Sequence, residues 1–308
     1  MQNVASDSIT YAHIYSQSLP AGFLDVMIRR EVPVSMPMIV KVLVVGTVAS
    51  LVVWAAFLAL LRWRGVSVWW RTMFGPAIVF DSTDDDGTPV RLLNVGGTFQ
   101  SICYTDDELR WELVCEYHRT MAELVLRLSE DHDLRRALVM GGGGFSFPKW
   151  LVTHSRRLAV DAVEIDPKVI DIARERFRLA EAEAEAVGRL NVVCADAWAW
   201  LCGGCDADAS EPTRYDLIVS DAFGGKRPLG PMQEFEGAQM VRERLAPKGV
   251  FLANVRSPLE GDDAAGLLEA KAAFGMAFEH VEVIPERPEE PGRLQNNVLV
   301  AYDGELGL

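Results

Sequence analysis

Hydrophobic positions change their spacing several times along this chain. Val42 to Leu61 is an unbroken apolar run with no charged residue, bounded by Lys41 on one side and by Arg62 and Arg64 on the other. A run of that length matches the ~30 Å hydrocarbon core of a bilayer and predicts a transmembrane helix. Trp63, Trp69 and Trp70 follow it, where an interfacial aromatic belt would sit. The run lies too far from the N-terminus for an ordinary signal peptide. Residues 1–36 show no strong period and read as a polar segment, with a short amphipathic stretch near "GFLDVMIRR".

From Pro76 the pattern becomes short alternating runs broken by Asp-Asp-Asp-Gly and Gly-Gly turns, in "AIVFDSTDDDGTPVRLLNVGGTFQSICYT". These predict a small β-domain. "DDELRWELVCEYHRTMAELVLRLSE" then carries apolar residues at helical spacing. After Asp131 strand and helix patterns alternate. The expected strands are Arg136–Met140, Ala159–Ile165, Leu190–Cys194, Tyr215–Ser220, Gly249–Val255 and Asn297–Ala301. "PKVIDIARERFRLAEAEAEAV" reads as one long helix opened by proline. The alternation predicts an α/β class with a doubly wound, mostly parallel sheet. The chain thus divides into a polar segment (1–36), a membrane anchor (37–64), a small β-domain (76–118) and a Rossmann-like domain (119–308).

Charge sharpens this picture. The formal net charge is −14, yet residues 1–75 carry six Lys/Arg against three Asp/Glu. The acidity therefore belongs to the part after the anchor. Such a surface excludes nucleic acid as a partner, because nucleic-acid binders need clustered positive charge. It is compatible with a small cationic substrate. Arg29, Arg30 and Lys41 precede the apolar run, and Arg62, Arg64 and Arg71 follow it, so the positive-inside count is tied. The cytoplasmic side is expected for the main domain, at the cell membrane, because the co-substrate inferred below is cytoplasmic. Five cysteines form no disulfide framework, and Cys202-Gly-Gly-Cys205 is a lone CxxC. The five histidines show no ligand spacing, so no metal site is expected.

In a doubly wound sheet, ligands bind beyond the carboxyl ends of the strands. The first expected strand ends in Gly141-Gly142-Gly143-Gly144, whose backbone N–H groups can approach a ligand closely. The second ends in Glu164-Ile165-Asp166, and an acidic residue there can accept from both ribose hydroxyls. Ala195-Asp196-Ala197 follows the third, placed to meet an exocyclic amine, and Ser220-Asp221 ends the fourth. The strict dinucleotide fingerprint fails, since its third glycine would fall at Ser146. The four signatures together fit adenosine with a short reactive tail. The alternative is a doubly wound domain without a ligand.

These residues resemble the polyamine aminopropyltransferase (spermidine synthase) family over roughly Ile78 to Tyr302. "LLNVGGTFQSICYTDDE" resembles the family's β-hairpin, with Gln100 at the glutamine that contacts the nucleoside. "EYHRTM" resembles its Tyr-His/Gln-Glu-Met segment, which implies Tyr117 and His118 at the active-site mouth. "VMGGGGFSFPKWLVTH" resembles the loop usually written GGGDGG, "VEIDPKVI" the ribose-binding segment, and "ADAW" the adenine-contacting one. "YDLIVSDAF" resembles the strand carrying the central aspartate, here Asp221. "LGPMQEF" resembles part of the closing loop, and "PGRLQNNVLVAY" the last strand. The resemblance implies a methyltransferase-like domain and a dimer or tetramer. It implies decarboxylated S-adenosylmethionine or S-adenosylmethionine as co-substrate, with no bound prosthetic group. Asp221 and Tyr117 are the implied catalytic residues. Gln100, His118, Gly141, Gly142, Gly143, Glu164, Asp196 and Ala197 are the implied nucleoside-binding residues. The implied reaction is attack of a neutral amine on the methylene beside a sulfonium, with methylthioadenosine leaving.

Two acidic positions depart from that pattern. Gly144 stands where the family has the aspartate that holds the donor's ammonium, and Gly224 where a second aspartate holds the polyamine. Charge-assisted hydrogen bonds of this kind are worth roughly 1.5–3 kcal/mol each. Glu112, Glu116, Glu234 and Glu236 are candidate replacements, and Lys226 and Arg227 in the closing loop suit an anionic group. Three readings follow. The first is aminopropyl transfer with altered recognition of the small-molecule amine. The second is methyl transfer from intact S-adenosylmethionine, and the third a membrane-tethered nucleoside-binding module without catalysis.

Overall fold

The computed structural model describes residues 37–63, 65–204, 212–222 and 229–305. The readings placed on residues 1–36, Arg64, Cys205, Gly224, Lys226 and Arg227 lie outside the described residues. Contacts divide the chain into residues 1–60 and residues 61–308. In the first unit the described part is helix α1 (Met38–Trp63), which continues to Trp63. Its apolar stretch Met38–Leu61 has a mean hydropathy of 2.4 and is 0% buried. The hydroxyls of Thr47 and Ser50 donate back to the carbonyls of Leu43 and Gly46, at 2.8 and 2.9 Å. Both hydroxyl donors of the run are thereby satisfied within the helix, as an apolar surrounding requires.

The second unit opens with a four-stranded antiparallel sheet: β1 (Ser67–Thr72), β2 (Gly75–Thr83), β3 (Pro89–Val95) and β4 (Thr98–Tyr104), in that spatial order. It starts at Ser67 rather than Pro76. The tryptophans expected in an interfacial belt lie in β1, where Trp69 packs against the core and Trp70 is exposed. An aromatic pair after an apolar helix reads equally well as belt or strand.

Helix α2 spans Glu116–Asp131, shorter than the apolar spacing predicts. Residues 106–115 form turns instead, because Asp106 accepts from the Glu108 amide at 2.8 Å and Arg110 donates to the Asp107 carbonyl. Such local side-chain bonds compete with the helix. Then come β5 (Arg136–Met140), α3 (Ser146–His154), β6 (Ala159–Glu164), α4 (Pro167–Arg176), α5 (Leu179–Ala186), β7 (Leu190–Cys194), α6 (Ala197–Cys202) and β8 (Tyr215–Ser220). The chain closes with α7 (Phe235–Arg244), β9 (Leu245–Ser257), α8 (Ala265–Ala277), β10 (His280–Pro285) and β11 (Gln295–Tyr302).

The large sheet runs β10-β11-β9-β8-β5-β6-β7, parallel from β9 to β7 and antiparallel at the β10–β11–β9 end. Its central strands are apolar nearly throughout because helices cover both faces. Val139, Leu217 and Val250 face a core shared with α3 and α4, while Leu138, Ile218 and Phe251 face one shared with α7 and α8. β10 was missed in the sequence. It is a half-exposed edge strand whose run His280-Val281-Glu282-Val283 is short and partly charged.

The long helix expected after Pro167 breaks into α4 and α5. Arg178 takes a left-handed conformation (φ +58°), Phe177 is fully buried, and the Lys149 ammonium donates to the Phe177 carbonyl. Lys149 is itself buried, and that burial lowers its pKa to about 8. Tertiary contacts thus override helical propensity at the break.

Candidate active site

β5 pairs with β6 on one side and with β8 on the other, so the winding direction reverses between β5 and β8. A crevice opens beyond the carboxyl ends of strands at such a point. Here it is a cavity of about 640 Å³. The two strand ends are joined: the Asp221 amide donates to the Met140 carbonyl at 2.9 Å. Gly141 has φ +102°, and a Cβ there would lie 2.6 Å from the Asp221 carbonyl oxygen. Both the dihedral and the close approach demand glycine.

Glu164, at the end of β6, turns its carboxylate onto the glycine loop. Oε2 accepts from the amides of Gly142 and Gly143, each at 3.0 Å, and Oε1 accepts from the Asp166 amide at 3.0 Å. A carboxylate has about four acceptor positions, so about one remains on Glu164 for a ligand hydroxyl. Asp166 is buried and does two jobs. Its Oδ1 accepts from the Lys168 amide as the N-cap of α4, and its Oδ2 accepts from the Met73 amide at 2.6 Å. Asp196 caps α6 by accepting from the Ala199 amide at 2.8 Å, and with Ala197 and Trp198 it lines the cavity opposite the small sheet. Gln100 and Ser101 of β4 reach the same cavity.

Asp221 occupies its centre. Tyr117 donates its hydroxyl to Oδ2 at 3.1 Å, His118 Nε2 lies 2.9 Å from the same oxygen, and Asn254 Nδ2 donates to Oδ1 at 3.0 Å. Tyr117 and His118 come from the first turn of α2 and Asn254 from β9. The His118 ring stacks on Phe147 with centroids 5.4 Å apart. Burial alone would lower the basicity of His118. The hydrogen bond and negative charge of Asp221, helped by Cys115, outweigh it and raise its pKa to about 9. His118 is therefore an imidazolium paired with Asp221 at neutral pH. Burial, then the charge of Asp221, raises the Tyr117 phenol well above its usual value, so it stays a hydrogen-bond donor.

The structure brings all of the sequence-predicted residues to this region: Gln100, His118, Gly141, Gly142, Gly143, Glu164, Asp196, Ala197 and Asp221 line the cavity, and Tyr117 adjoins it through Asp221. His118 touches the central aspartate directly. Asn254 was not anticipated; its only trace in the sequence is one amide inside the apolar run "VFLANV". Gly144 is not part of the lining. A Cβ on it would meet Ser101 Oγ at 2.5 Å and the Phe177 ring at 3.0 Å. Ser101 and Ser146, which do line the cavity, sit 3.3 Å apart, and Ser146 donates to the Ile102 carbonyl. The neutral hydroxyl of Ser101 therefore stands where a side chain at position 144 would point, with the Ser146 hydroxyl beside it. Among the described residues, the carboxylates lining the cavity are Glu164, Asp196 and Asp221. Glu112, Glu116, Glu234 and Glu236 do not line it; Glu116 pairs with Arg119 and Glu112 with His154 on the surface.

The model of the spermine/spermidine synthase domain matches residues 114–283. The chain belongs to the spermine/spermidine synthase family. The match takes in α2, every strand from β5 to β9, the first part of β10, and all the carboxylates of the cavity. Similar members of known sequence include the polyamine aminopropyltransferase of Mycobacterium tuberculosis, 30% identical over 156 residues, covering 50% of this chain and 29% of the relative. The human eEF1A lysine and N-terminal methyltransferase is 29% identical over 176 residues, covering 54% of this chain and 24% of the relative. The chain thus spans less than a third of either relative. Among solved structures, a "probable spermidine synthase" of Corynebacterium glutamicum superposes with a TM-score of 0.61 at 20% identity, covering 77% of this chain and 79% of that one. Human methyltransferase-like protein 13, solved with SAH, gives 0.51 at 24% identity, covering 63% and 85%. These two likenesses show a methyltransferase-like fold. The relatives are transferases of both kinds.

Proposed function

We propose that the chain binds S-adenosylmethionine through the glycine loop, Glu164 and Asp196, and transfers its methyl group to an acceptor other than a polyamine. The observation that carries this is the state of the cavity carboxylates. Glu164 is held by three amides, Asp196 caps a helix, and Asp221 is paired with the His118 imidazolium. Glu164 and Asp221 keep about one acceptor position each and Asp196 its second oxygen, and in this reading the ribose, the nucleophile and the adenine amine take them, so that no carboxylate is left for an ammonium. Ser101 and Ser146 present neutral hydroxyls instead, which accept a zwitterionic amino-acid tail without repelling its carboxylate. A decarboxylated donor would bring an ammonium alone. An aspartate at position 144 would bond the ammonium of either donor for about 1.5–3 kcal/mol, but it would repel the carboxylate of the intact donor alone, and that repulsion is absent here.

In this reading the sulfonium supplies the activation. The acceptor's lone pair attacks the methyl carbon, the C–S bond breaks, and S-adenosylhomocysteine leaves. Three of the roughly four acceptor positions on Asp221 are filled, and the remaining one orients the nucleophile. Tyr117 fixes the carboxylate beside it. Helix α1 holds this domain at the cell membrane, a reading supported by its length and apolar surface, and the cytoplasmic side follows from the co-substrate alone.

Aminopropyl transfer to an amine is the second reading, favoured by family membership and by the Tyr117–Asp221 contact. Calorimetry with S-adenosylmethionine, decarboxylated S-adenosylmethionine and methylthioadenosine separates the two. Tighter binding of the intact donor is expected, and tighter binding of the decarboxylated one would overturn the methyl-transfer reading. If no nucleoside binds below millimolar concentration, both enzymatic readings fail. Asp221→Asn should abolish transfer and leave nucleoside affinity largely unchanged.

A further inference from the structure

The small sheet has one face on the core; on its other face Val90 and Tyr104 are buried, Val68, Ile78, Phe80 and Leu92 half-buried, and Trp70 and Phe99 exposed. Ala77, Val79, Leu93 and Val95 are buried. By strand alternation Val68, Trp70, Ile78, Phe80, Leu92 and Phe99 point the other way. The registers agree, pairing Val68 with Ile78 and Phe80 with Leu92, and the Phe80 and Phe99 rings meet edge-on at 6.3 Å. Trp70 is 59% exposed and Phe99 63%. Beside them the β1–β2 turn carries Met73 and Phe74, 59% and 56% exposed, and Phe74 also lines the cavity. Contiguous exposed apolar surface of this kind marks an interaction site.

The chain itself says what covers it. Residues 64–66 link Trp63, the last residue of α1, to Ser67, the first of β1. So few residues reach about 15 Å at most. Residues 62–80 contain Arg62, Arg64 and Arg71, three tryptophans and two phenylalanines, and no Asp or Glu. The three consecutive aspartates Asp84, Asp85 and Asp86 lie in the β2–β3 turn, at the opposite end of the sheet from Phe74. Basic and aromatic residues thus collect where the chain leaves the apolar helix, and the acidic turn is set away from them. Aromatic residues with arginines are the composition that lies at an anionic lipid interface.

We propose that the exposed part of this second face, Trp70 and Phe99 with the Met73–Phe74 turn, rests on the surface of an anionic bilayer and brings the rim of the cavity to the lipid headgroups. This rests on α1 spanning that bilayer.

The test uses the full chain in phosphatidylglycerol vesicles, with the photoreactive changes Phe99→p-benzoylphenylalanine and, separately, Trp70→p-benzoylphenylalanine. Leu268→p-benzoylphenylalanine on α8, also exposed, is the control. After irradiation, mass spectrometry should find lipid adducts at positions 99 and 70 and none at 268. Protein–protein cross-links from 99 or 70 would assign the face to a second copy and overturn the proposal. Absence of adducts at both positions, or equal adducts at 268, would also overturn it. Alkaline extraction of the same vesicles separates the two readings. Release of the protein would sink the anchor itself, whereas retained protein without lipid adducts would sink the docking surface alone.

Discussion

His118→Gln should remove a pH-dependent part of the stability of this protein. In the fold His118 has a pKa of about 9 against an ordinary 6.5, because the Asp221 hydrogen bond and charge overcome the burial that would lower it. One pKa unit corresponds to 1.36 kcal/mol, so proton binding at His118 contributes about 3 kcal/mol of stability. The folded pKa lies above the unfolded one. The stabilisation is therefore fully present below about pH 6.5 and is lost as the pH rises through about 9. The assay is denaturant unfolding of the full chain and of the variant in one detergent between pH 6 and pH 10. The unfolding free energy of the unsubstituted chain should fall by about 3 kcal/mol relative to the variant across that range. Lys149 works in the opposite sense: its folded pKa of about 8 lies below the ordinary 10.5, so it adds stability as the pH rises between those values. That contribution is common to both proteins and cancels in the difference, as does the helix held in the micelle. Curves that stay parallel from pH 6 to pH 10 would refute the ion pair.

Other substitutions probe the loop around it. Glu164→Gln offers one acceptor oxygen to three amides and leaves at least one unmet, at a cost of about 1–3 kcal/mol. Calorimetry should show weaker nucleoside binding, and unchanged affinity would contradict the placement of Glu164. Gly144→Ala forces a Cβ to 2.5 Å from Ser101 Oγ, and such overpacking costs about 1–3 kcal/mol. Its melting temperature should drop, and adding Ser101→Gly should restore it. Asn254→Ala releases Oδ1 of Asp221, so turnover should fall while nucleoside affinity holds; equal turnover would rule out a positioning role.

Much of this was legible in the sequence because the central strands are buried on both faces and punctuated at their carboxyl ends. Met140-Gly141, Glu164, Asp196 and Asp221 each mark the end of an apolar run. What escaped notice depends on contacts distant in sequence. Asn254 matters only because β9 lies beside β8, a pairing that no local pattern states. The break at Arg178 depends on Lys149 reaching the Phe177 carbonyl from another helix. Gly144 showed that a carboxylate was missing. It took the fold to show that Ser101 and the Phe177 ring fill the place. Edge strand β10 was illegible for a simpler reason, that half-exposed residues carry half the hydrophobic signal, and β1 because Trp69 and Trp70 read equally well as an interfacial belt.

Asp166 has a consequence for how freely this sequence can drift. One oxygen caps α4 and the other holds the Met73 amide, a residue far away in the chain. An asparagine has a single acceptor oxygen, and its amide group would face one of these two N–H donors. A glutamate would carry its oxygens one methylene too far for the cap. Position 166 is thus closed to its nearest chemical neighbours, and the turn before Phe74 inherits that restriction. Residues 73 and 74 are free to exchange one apolar side chain for another, but the backbone beneath them is pinned by a carboxylate that belongs to the nucleoside side of the fold.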